Sequence, residues 1–412
     1  MTAAASITHR RPVLRINPAK VFIGLGAFLS GFVINEPAPY ELYMSALIGV
    51  WFILGLRITA NAASLLTLLV FFNAGGLLSL TTMAELDFDA ILYMAVSLFL
   101  ALSAVFFAAI IEQDESRLST IFNAYLAGAL VAAVIGIAAY FYLIPGSEAF
   151  ILYDRAKGTF QDPNVFGPFL ILPIVFLLHT ILSGPLFAAP LRIAAFLVLS
   201  FGVFLSFSRA AWGLYFLSVA LLILLMLLKE NAPAFRVRII ALSVAGLGLV
   251  VVALGIALQF DQVSSLFADR AQLVQSYDTA VYGRFARHGI GFFMAMEHPL
   301  GIGPVVFGTI FGEDTHNIWL KALLDYGWLG FAAYFTLIAL TLAVGFKCLL
   351  RDRTWQPFLL CAYVVFFGHV LIGTVIDTDH WRHFYLILGL IWGCFGLERR
   401  YQRERSKIVP GS

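Results

Sequence analysis

His316 is a candidate general base. It lies in the polar segment Glu313-Asp314-Thr315-His316-Asn317, directly ahead of an apolar run. An imidazole titrates near ambient pH, so it can accept a proton from a hydroxyl group. The alternative is a structural histidine that hydrogen-bonds the preceding turn. Asp314 or Thr315 is expected to cap a helix that begins near His316, and Asp314 and Asn317 are supporting candidates for the same site.

Five further basic residues lie in three short segments that also contain turn or capping residues. They are Arg155 and Lys157 in the segment 153–164, Arg209 in the segment 206–212, and Arg284 and Arg287 in the segment 282–289. Guanidinium groups can hold a diphosphate through several charge-assisted hydrogen bonds, and fixed positive charge stabilises a departing phosphate without a metal. The alternative for any one of them is snorkelling or ion pairing at a membrane interface.

The elements that must position these side chains can be predicted locally. Gly158 and Pro163 mark turns in the first segment, and Asn164 is expected to cap the next helix. Arg209 falls in a short connection at the start of a helix, where the N-terminal backbone amides add positive potential. Lys321 and Asp325 are four residues apart on one helix and are expected to pair with each other.

Residues 284–296 are expected to form an amphipathic helix. Arg284, Arg287 and His288 fall on one face. The opposite side is apolar and carries Phe285, Phe292, Phe293 and Met296. A helix of this kind at a membrane surface suits an anionic lipid headgroup, and the alternative is an ordinary interfacial helix without a ligand. The polar turn 377–383 either lines the site or lies in the interface.

The composition is that of an integral membrane protein. Hydrophobic residues make up 61% of the 412 residues and charged residues 12%, and the mean hydropathy is +0.91. A soluble domain carries about 25% charged residues. The net charge of +2 indicates no acidic partner, and no nucleic acid is expected. The three cysteines show no metal or redox spacing, so we expect no metal and no cofactor.

The apolar runs predict an all-α, polytopic protein with about twelve transmembrane helices. The predicted spans are 20–35, 40–56, 61–80, 90–111, 118–143, 164–183, 190–206, 210–228, 237–258, 327–347, 356–376 and 383–397. We expect one membrane domain over residues 1–412. Within it, 19–258 holds spans one to nine, 259–315 a long outer loop with amphipathic helices, 316–397 the last three spans, and 398–412 a basic tail.

The distribution of Lys and Arg predicts the orientation. With the N-terminus inside, most of the 26 basic residues lie in segments facing the cytoplasm, and the C-terminus is cytoplasmic too. Shifting the count by one span would reverse the later loops and lose this bias. His316 and the five candidate arginines and lysines then all lie on the outer side.

Several motifs resemble the O-antigen ligase and polymerase superfamily. They are His316-Asn317-x-x-Leu320, followed by Asp325-Tyr326-Gly327-Trp328-Leu329-Gly330; Pro299-Leu300-Gly301-Ile302-Gly303; Gly158-Thr159-Phe160-x-Asp162-Pro163-Asn164; and Ser208-Arg209-Ala210-Ala211-Trp212. Their order, their spacing and the long outer loop before His316 fit the same family. The resemblance covers roughly residues 60–395.

The resemblance implies a metal-independent membrane glycosyltransferase in a bacterial inner membrane, with its active site facing the periplasm. It would move a glycan from an undecaprenyl-diphosphate carrier to an acceptor sugar on lipid A–core, as a ligase, or to another lipid-linked glycan, as a polymerase. By motif, the outer basic residues would bind the diphosphate, with either Arg155 or Lys157 at the first position, together with Arg209, Arg284 and Arg287. His316 would lie near the acceptor hydroxyl.

A polysaccharide or lipid transporter is the main alternative outside enzymology. Transporters place ionisable residues or broken helices near the middle of the membrane, often in repeated halves. Here the predicted spans carry almost no charge at mid-depth, and no internal repeat is evident. The pattern therefore favours chemistry at the membrane surface, and ligase is favoured over polymerase on the motifs around residues 158–164 and 208–212.

Overall fold

The computed structural model describes residues 17–185, 187, 189–230, 232–270 and 283–408. The helices in these ranges are α1 (Pro18–Leu29), α2 (Pro39–Ile53), α3 (Ala60–Leu80), α4 (Phe88–Gln113), α5 (Ser116–Tyr140), α6 (Pro163–Phe169), α7 (Ile171–Ser183), α8 (Ala189–Leu205), α9 (Arg209–Lys229), α10 (Pro233–Ala257), α11 (Asp261–Arg270), α12 (Arg284–Glu297), α13 (Val306–Phe311), α14 (Ile318–Asp325), α15 (Gly327–Cys348), α16 (Gln356–Ile372) and α17 (Arg382–Ile408). A 3₁₀ turn (Ser147–Phe150) precedes a small hairpin of β1 (Ile151–Leu152) and β2 (Arg155–Ala156).

Within the described residues, seven segments are long and apolar enough to cross a membrane: α3, α4, α5, α6 with α7, α9, α10 and α15. The same part of the chain contains three shorter apolar helices, α1, α8 and α16. The protein is therefore a multi-pass, all-α membrane protein, and the count of twelve spans stays a prediction. The 12 residues of α1 extend only about 18 Å at ~1.5 Å per residue, which is less than the ~30 Å of a hydrocarbon core.

Small residues let α17 approach α4 closely. A Cβ atom at Gly389 would lie 2.6 Å from the carbonyl oxygen of Ala104, and one at Gly393 would lie 2.7 Å from Ile111. The two glycines are four positions apart. Small residues at this spacing are typical of tightly packed membrane helices, because they let two backbones approach closely. α17 also continues to Ile408, through residues that the sequence assigned to a basic tail.

The segment that carries His316 is seated on α3. Gly75 of α3 faces the joint between α14 and α15, where a Cβ would lie 2.5 Å from the amide nitrogen of Gly330. Gly327 at this joint has a φ of +64°, a region that glycine adopts without strain. Close backbone packing therefore fixes the end of α14 relative to the bundle.

Charged contacts distinguish two ends of the bundle. Near the C-terminal end of α17, the carboxylate of Glu398 accepts from Arg351 at 2.6 Å and from Arg353 at 2.8 Å. The distribution of Lys and Arg predicts that these two arginines face the cytoplasm. At the other end of α17, Arg382 pairs with Glu36 at 2.6 Å. The two groups lie at opposite ends of one long helix, as the predicted orientation requires, and the side of the membrane that each faces stays a prediction.

Candidate functional site

A polar cavity of about 650 Å³ lies at the Arg382 end of the bundle. It is lined by Arg155, Asp162, Asn164, Val165, Phe207, Arg209, Ala210, Gly213, Arg270, Phe285, His316, Ile372, Val375, Ile376, Asp377 and Trp381. Three residues singled out from the sequence, Arg155, Arg209 and His316, thus share one space although 161 positions separate the first from the last. The tertiary structure adds Arg270 and Asp377 to them.

Arg155 reaches the cavity from the β hairpin. Tyr153 and Asp154 both have positive φ, +52° and +56°, as in the tight two-residue turns that join twisted strands. The Arg155 side chain is buried, and its Nε donates to the carbonyl oxygen of Ser206 at 2.8 Å. Its Nη2 donates to Oδ1 of Asn164 at 2.8 Å. These contacts aim the guanidinium at the cavity, whereas Lys157 is not among the lining residues.

The turn after the hairpin has a different cap from the one predicted. Asp162 is the N-cap of α6, and its Oδ1 accepts from the backbone amide of Asn164 at 2.6 Å. Asn164 does not cap the helix, because it is already the second residue of α6. Its side-chain oxygen accepts from Arg155 instead. Gly158 has a φ of +52°, and a Cβ there would lie 2.7 Å from Phe166. The glycine therefore allows this turn to press against the bundle.

Arg209 is the first residue of α9, as expected. Ser208 is the N-cap, and its hydroxyl accepts from the amide of Ala211 at 3.3 Å. Phe207 has a φ of +44°, so the chain turns sharply between α8 and α9. The guanidinium thus lies beside a helix N-terminus, where the backbone amides add to the positive potential.

Arg270 is a site residue that sequence reasoning did not select. It ends α11 and lines the cavity. It falls within the predicted outer loop, residues 259–315. That position was the available signal in the sequence, because no motif surrounds Arg270.

His316 has a left-handed backbone, with a φ of +50°, which is uncommon for a residue with a side chain and clusters at functional sites. Its Nδ1 lies 3.3 Å from Oδ2 of Asp377. Its Nε2 lies 3.9 Å from Oε2 of Glu313. A carboxylate at Nδ1 favours the tautomer with its proton on Nδ1, which leaves Nε2 as the acceptor.

The cap beside His316 also differs from the prediction. Asn317, not Asp314 or Thr315, is the N-cap of α14, and its Oδ1 accepts from the amides of Trp319 and Leu320 at 3.0 and 3.3 Å. The helix starts at Ile318 rather than at His316. Asn317 therefore holds the start of α14 in place, and the imidazole precedes the helix.

Asp377 belongs to the polar turn before α17, which is tied to the start of α14. The amide of Ile318 donates to the carbonyl oxygen of Gly373 at 2.7 Å. This contact holds the turn against the His316 segment. The polar turn 377–383 thus contributes Asp377 and Trp381 to the cavity wall.

Lys321 and Asp325 pair as predicted, with their charged atoms 2.8 Å apart. Lys321 also contacts Asp314 at 2.8 Å and lies 5.1 Å from the centre of the Tyr93 ring. His380 stacks on the same ring at 3.8 Å. Burial lowers the pKa of His380 to about 4, so this imidazole is neutral at neutral pH. Lys321 thus links Asp314, two residues before His316, to α14, which follows it.

α12 is the predicted amphipathic helix, with its charged face toward the protein. Arg287 is buried, and its Nη2 donates to Oε2 of Glu313 at 2.6 Å. It does not line the cavity, although Phe285 does. The side chain of Arg284 lies outside the described residues. The apolar residues of the other face are exposed, as an interfacial helix requires: Phe285, Phe292, Phe293 and Met296.

The fold and cavity define a multi-pass helical membrane protein with an arginine- and histidine-lined site at one end of the bundle. The O-antigen ligase family model matches residues 194–335, from α8 into α15. This match places that segment in the O-antigen ligase family and confirms the resemblance inferred from the motifs. It includes Arg209, Arg270 and His316. The family comprises membrane enzymes of glycosyltransferase type, ligases and polymerases, that act on lipid-linked glycans. No curated protein matches the chain.

Proposed function

We propose that the protein is an O-antigen ligase that transfers a glycan from undecaprenyl diphosphate to a sugar of lipid A–core, at the periplasmic face of a bacterial inner membrane. The observation that carries this proposal is the cavity in which Arg155, Arg209 and Arg270 meet His316. This combination supplies positive charge for a diphosphate and a base for a hydroxyl group within one space.

The arginines would act on the leaving group. The bond between the anomeric carbon and the diphosphate oxygen breaks, and its electron pair passes to the diphosphate. Guanidinium groups fixed in a partly enclosed cavity stabilise the charge that develops there, and they need little reorganisation during the reaction. Arg155 is already held in position by Ser206 and Asn164. Arg155, Arg209 and Arg270 would therefore stabilise the charge of the departing diphosphate.

His316 would act on the acceptor. As the acceptor oxygen forms its bond to the anomeric carbon, its proton passes to Nε2 of His316. The Asp377 carboxylate, 3.3 Å from Nδ1, would orient the ring and stabilise the imidazolium. Attack from the face opposite the diphosphate is a direct displacement, so the anomeric configuration would invert.

An apolar groove beside the cavity supports a lipid-linked donor. Two cavities of about 370 and 530 Å³ lie between α8, α9 and α10, and Tyr215 and Phe216 line both. Phe267 lines the cavity of about 370 Å³, and it lies one turn before Arg270 on α11. If the diphosphate of a lipid carrier binds at Arg270, the lipid chain of the carrier can therefore lie in this apolar groove. A water-soluble nucleotide donor would have no use for this groove.

The gene deletion strain distinguishes the candidate functions. It would be complemented with wild type, with His316→Ala or with an empty vector, and lipopolysaccharide and lipid-linked glycans would be compared on gels. We expect the empty vector to lose long-chain lipopolysaccharide while long glycans accumulate on the carrier. We expect His316→Ala to behave like the empty vector at wild-type membrane levels on an immunoblot.

Two other outcomes would change the proposal. Accumulation of single repeats on the carrier would identify a polymerase instead of a ligase. Unchanged glycan pools in the empty-vector strain would contradict glycan transfer and reopen the transporter alternative.

A further inference from the structure

A second polar pocket lies at the end of the bundle opposite the cavity. Its volume is about 210 Å³, and it is lined by Thr59, Ala60, Asn61, Glu112, Gly396, Arg399, Arg400 and Arg403. Neither the motifs nor the family match involves any of these residues, since the match covers 194–335. The pocket is formed where the start of α3, the end of α4 and the later part of α17 meet.

The floor of this pocket is rigidly built. The buried carboxylate of Glu112 accepts from the hydroxyl of Thr59 and from the side-chain amide of Asn61. Arg400 donates to the carbonyl oxygen of Glu112 at 2.7 Å. Gly396 lets α17 pass directly over the Glu112 side chain. Arg400 and Glu112 therefore serve the structure of the pocket.

The wall of the pocket is strongly basic. Arg399 and Arg403 are four residues apart on α17, so they project from the same face of the helix. Both are exposed, and the nearby carboxylate of Glu398 is already engaged by Arg351 and Arg353. The amino-terminal end of α3 adds the positive end of a helix dipole at Ala60. Three guanidiniums against one carboxylate give the pocket a net positive charge, which suits a phosphate.

The position of the pocket indicates where that phosphate would come from. Two helices apolar enough to cross a membrane meet at the pocket, because α3 begins at Ala60 and α4 ends at Gln113. The pocket therefore lies at the end of their apolar lengths. Four exposed apolar side chains and the exposed Arg57 shortly precede Thr59 in the chain. The apolar ones are Phe52, Ile53, Leu54 and Ile58. A ligand here would thus meet basic groups at one end and an apolar surface beside them.

We propose that this pocket binds the phosphate headgroup of an anionic glycerophospholipid, with the acyl chains against the exposed end of α2. Basic pockets between membrane helices on the cytoplasmic side hold such headgroups. A free phosphate shares the headgroup chemistry but would gain nothing from the apolar residues. The site is independent of the glycan chemistry at the other end of the bundle.

The test uses the full-length protein, purified in detergent and titrated with phosphatidylglycerol while native mass spectrometry counts the bound lipid. The test variant is Arg399→Gln with Arg403→Gln. The matched control is Arg405→Gln with Lys407→Gln, which removes the same charge from the same helix outside the pocket. We expect the test variant to bind phosphatidylglycerol roughly 10- to 30-fold more weakly than the wild type, and the control to bind within about twofold of it.

Competition with inorganic phosphate separates the two sources. We expect millimolar phosphate to displace little phosphatidylglycerol, because the acyl chains contribute to binding. Displacement at phosphate concentrations similar to the lipid concentration would overturn the lipid assignment. Equal binding by wild type, test variant and control would overturn the site itself. Melting temperatures measured without added lipid show whether the test variant is folded. An unfolded test variant would be replaced by Arg403→Gln alone, which is expected to bind phosphatidylglycerol about three- to fivefold more weakly than the wild type.

Discussion

Two groups of basic side chains surround His316, and their surroundings differ. The cavity group, Arg155, Arg209 and Arg270, lines a space of about 650 Å³. The paired group, Lys321 and Arg287, does not line this cavity and is buried against carboxylates at 2.8 and 2.6 Å. Within the cavity group, Arg270 also has an ion pair, with Asp269, but at a longer distance of 3.7 Å. The distribution of Lys and Arg along the chain predicts that all five lie on the outer side of the membrane. The comparison teaches that an outer basic residue serves either a ligand or the fold, and that its local sequence does not tell which.

The two groups differ in how the loss of water around each charge is compensated. Lys321 is only 4% exposed, so its desolvation must be compensated within the protein, and two carboxylates do this. A guanidinium that lines the cavity keeps one side open to a ligand, even where most of the side chain is buried, as in Arg155. Removing a paired residue should therefore damage the fold, whereas removing a cavity residue should damage catalysis.

The largest effect is expected from Lys321→Met. Without the ammonium group, Asp314 and Asp325 remain close together with no compensating charge, and we expect a loss of about 3–5 kcal/mol in stability. Thermal unfolding of the purified protein in detergent measures it. Adding Asp325→Asn to this variant should recover part of the loss. An unchanged melting temperature in Lys321→Met would contradict the structural role of the paired group.

Arg209→Gln is expected to lower kcat by about 10²- to 10³-fold, because it removes one donor to the developing charge of the leaving group. Transfer from a lipid-linked donor by purified protein is the assay. The melting temperature should stay that of the wild type. Arg405→Gln, at the far end of α17, is the matched control for loss of one arginine. Loss of stability without loss of kcat would show that Arg209 serves the fold instead of the ligand.

Asp377→Asn tests a positioning residue beside His316. We expect kcat to fall by about 10- to 100-fold, with KM unchanged, because the imidazole loses its orienting carboxylate; the comparable change in a serine-protease triad costs roughly 10⁴-fold. Asp377→Glu should restore part of the rate. A rise in KM with normal kcat would instead place Asp377 in acceptor binding.

The smallest effect is expected from Lys157→Gln. Lys157 is not among the residues that line the cavity, whereas Arg155, two positions earlier, is. Lys157→Gln should therefore reduce kcat/KM by no more than about threefold, while Arg155→Gln should reduce it by at least about tenfold. Donor titrations of the two variants make the comparison. The reverse order would show that Lys157 holds the first diphosphate position.

Much of the architecture could be predicted from the chain. The apolar runs predicted the helices of the bundle, and the family match confirmed the motifs around Arg209 and His316. The pairing of Lys321 with Asp325 followed from helical spacing alone. The caps were predicted at Asn164 and at Asp314 or Thr315, whereas the structure has them at Asp162 and Asn317. Several nearby side chains have the same capping chemistry, and only the backbone angles select one of them.

The sequence by itself determined that this protein is a membrane-embedded helical bundle, because hydropathy and charge act over short stretches that can be judged along the chain. It also determined which short motifs carry arginine and histidine. Only the tertiary structure decided which of these residues meet. Arg155 rather than Lys157 lines the cavity because a two-residue turn orients its side chain. Arg287 pairs with Glu313 instead of lining the cavity. Asp377 contacts His316 although 61 positions separate them. Such contacts depend on how helices distant in sequence pack together, which no local pattern specifies.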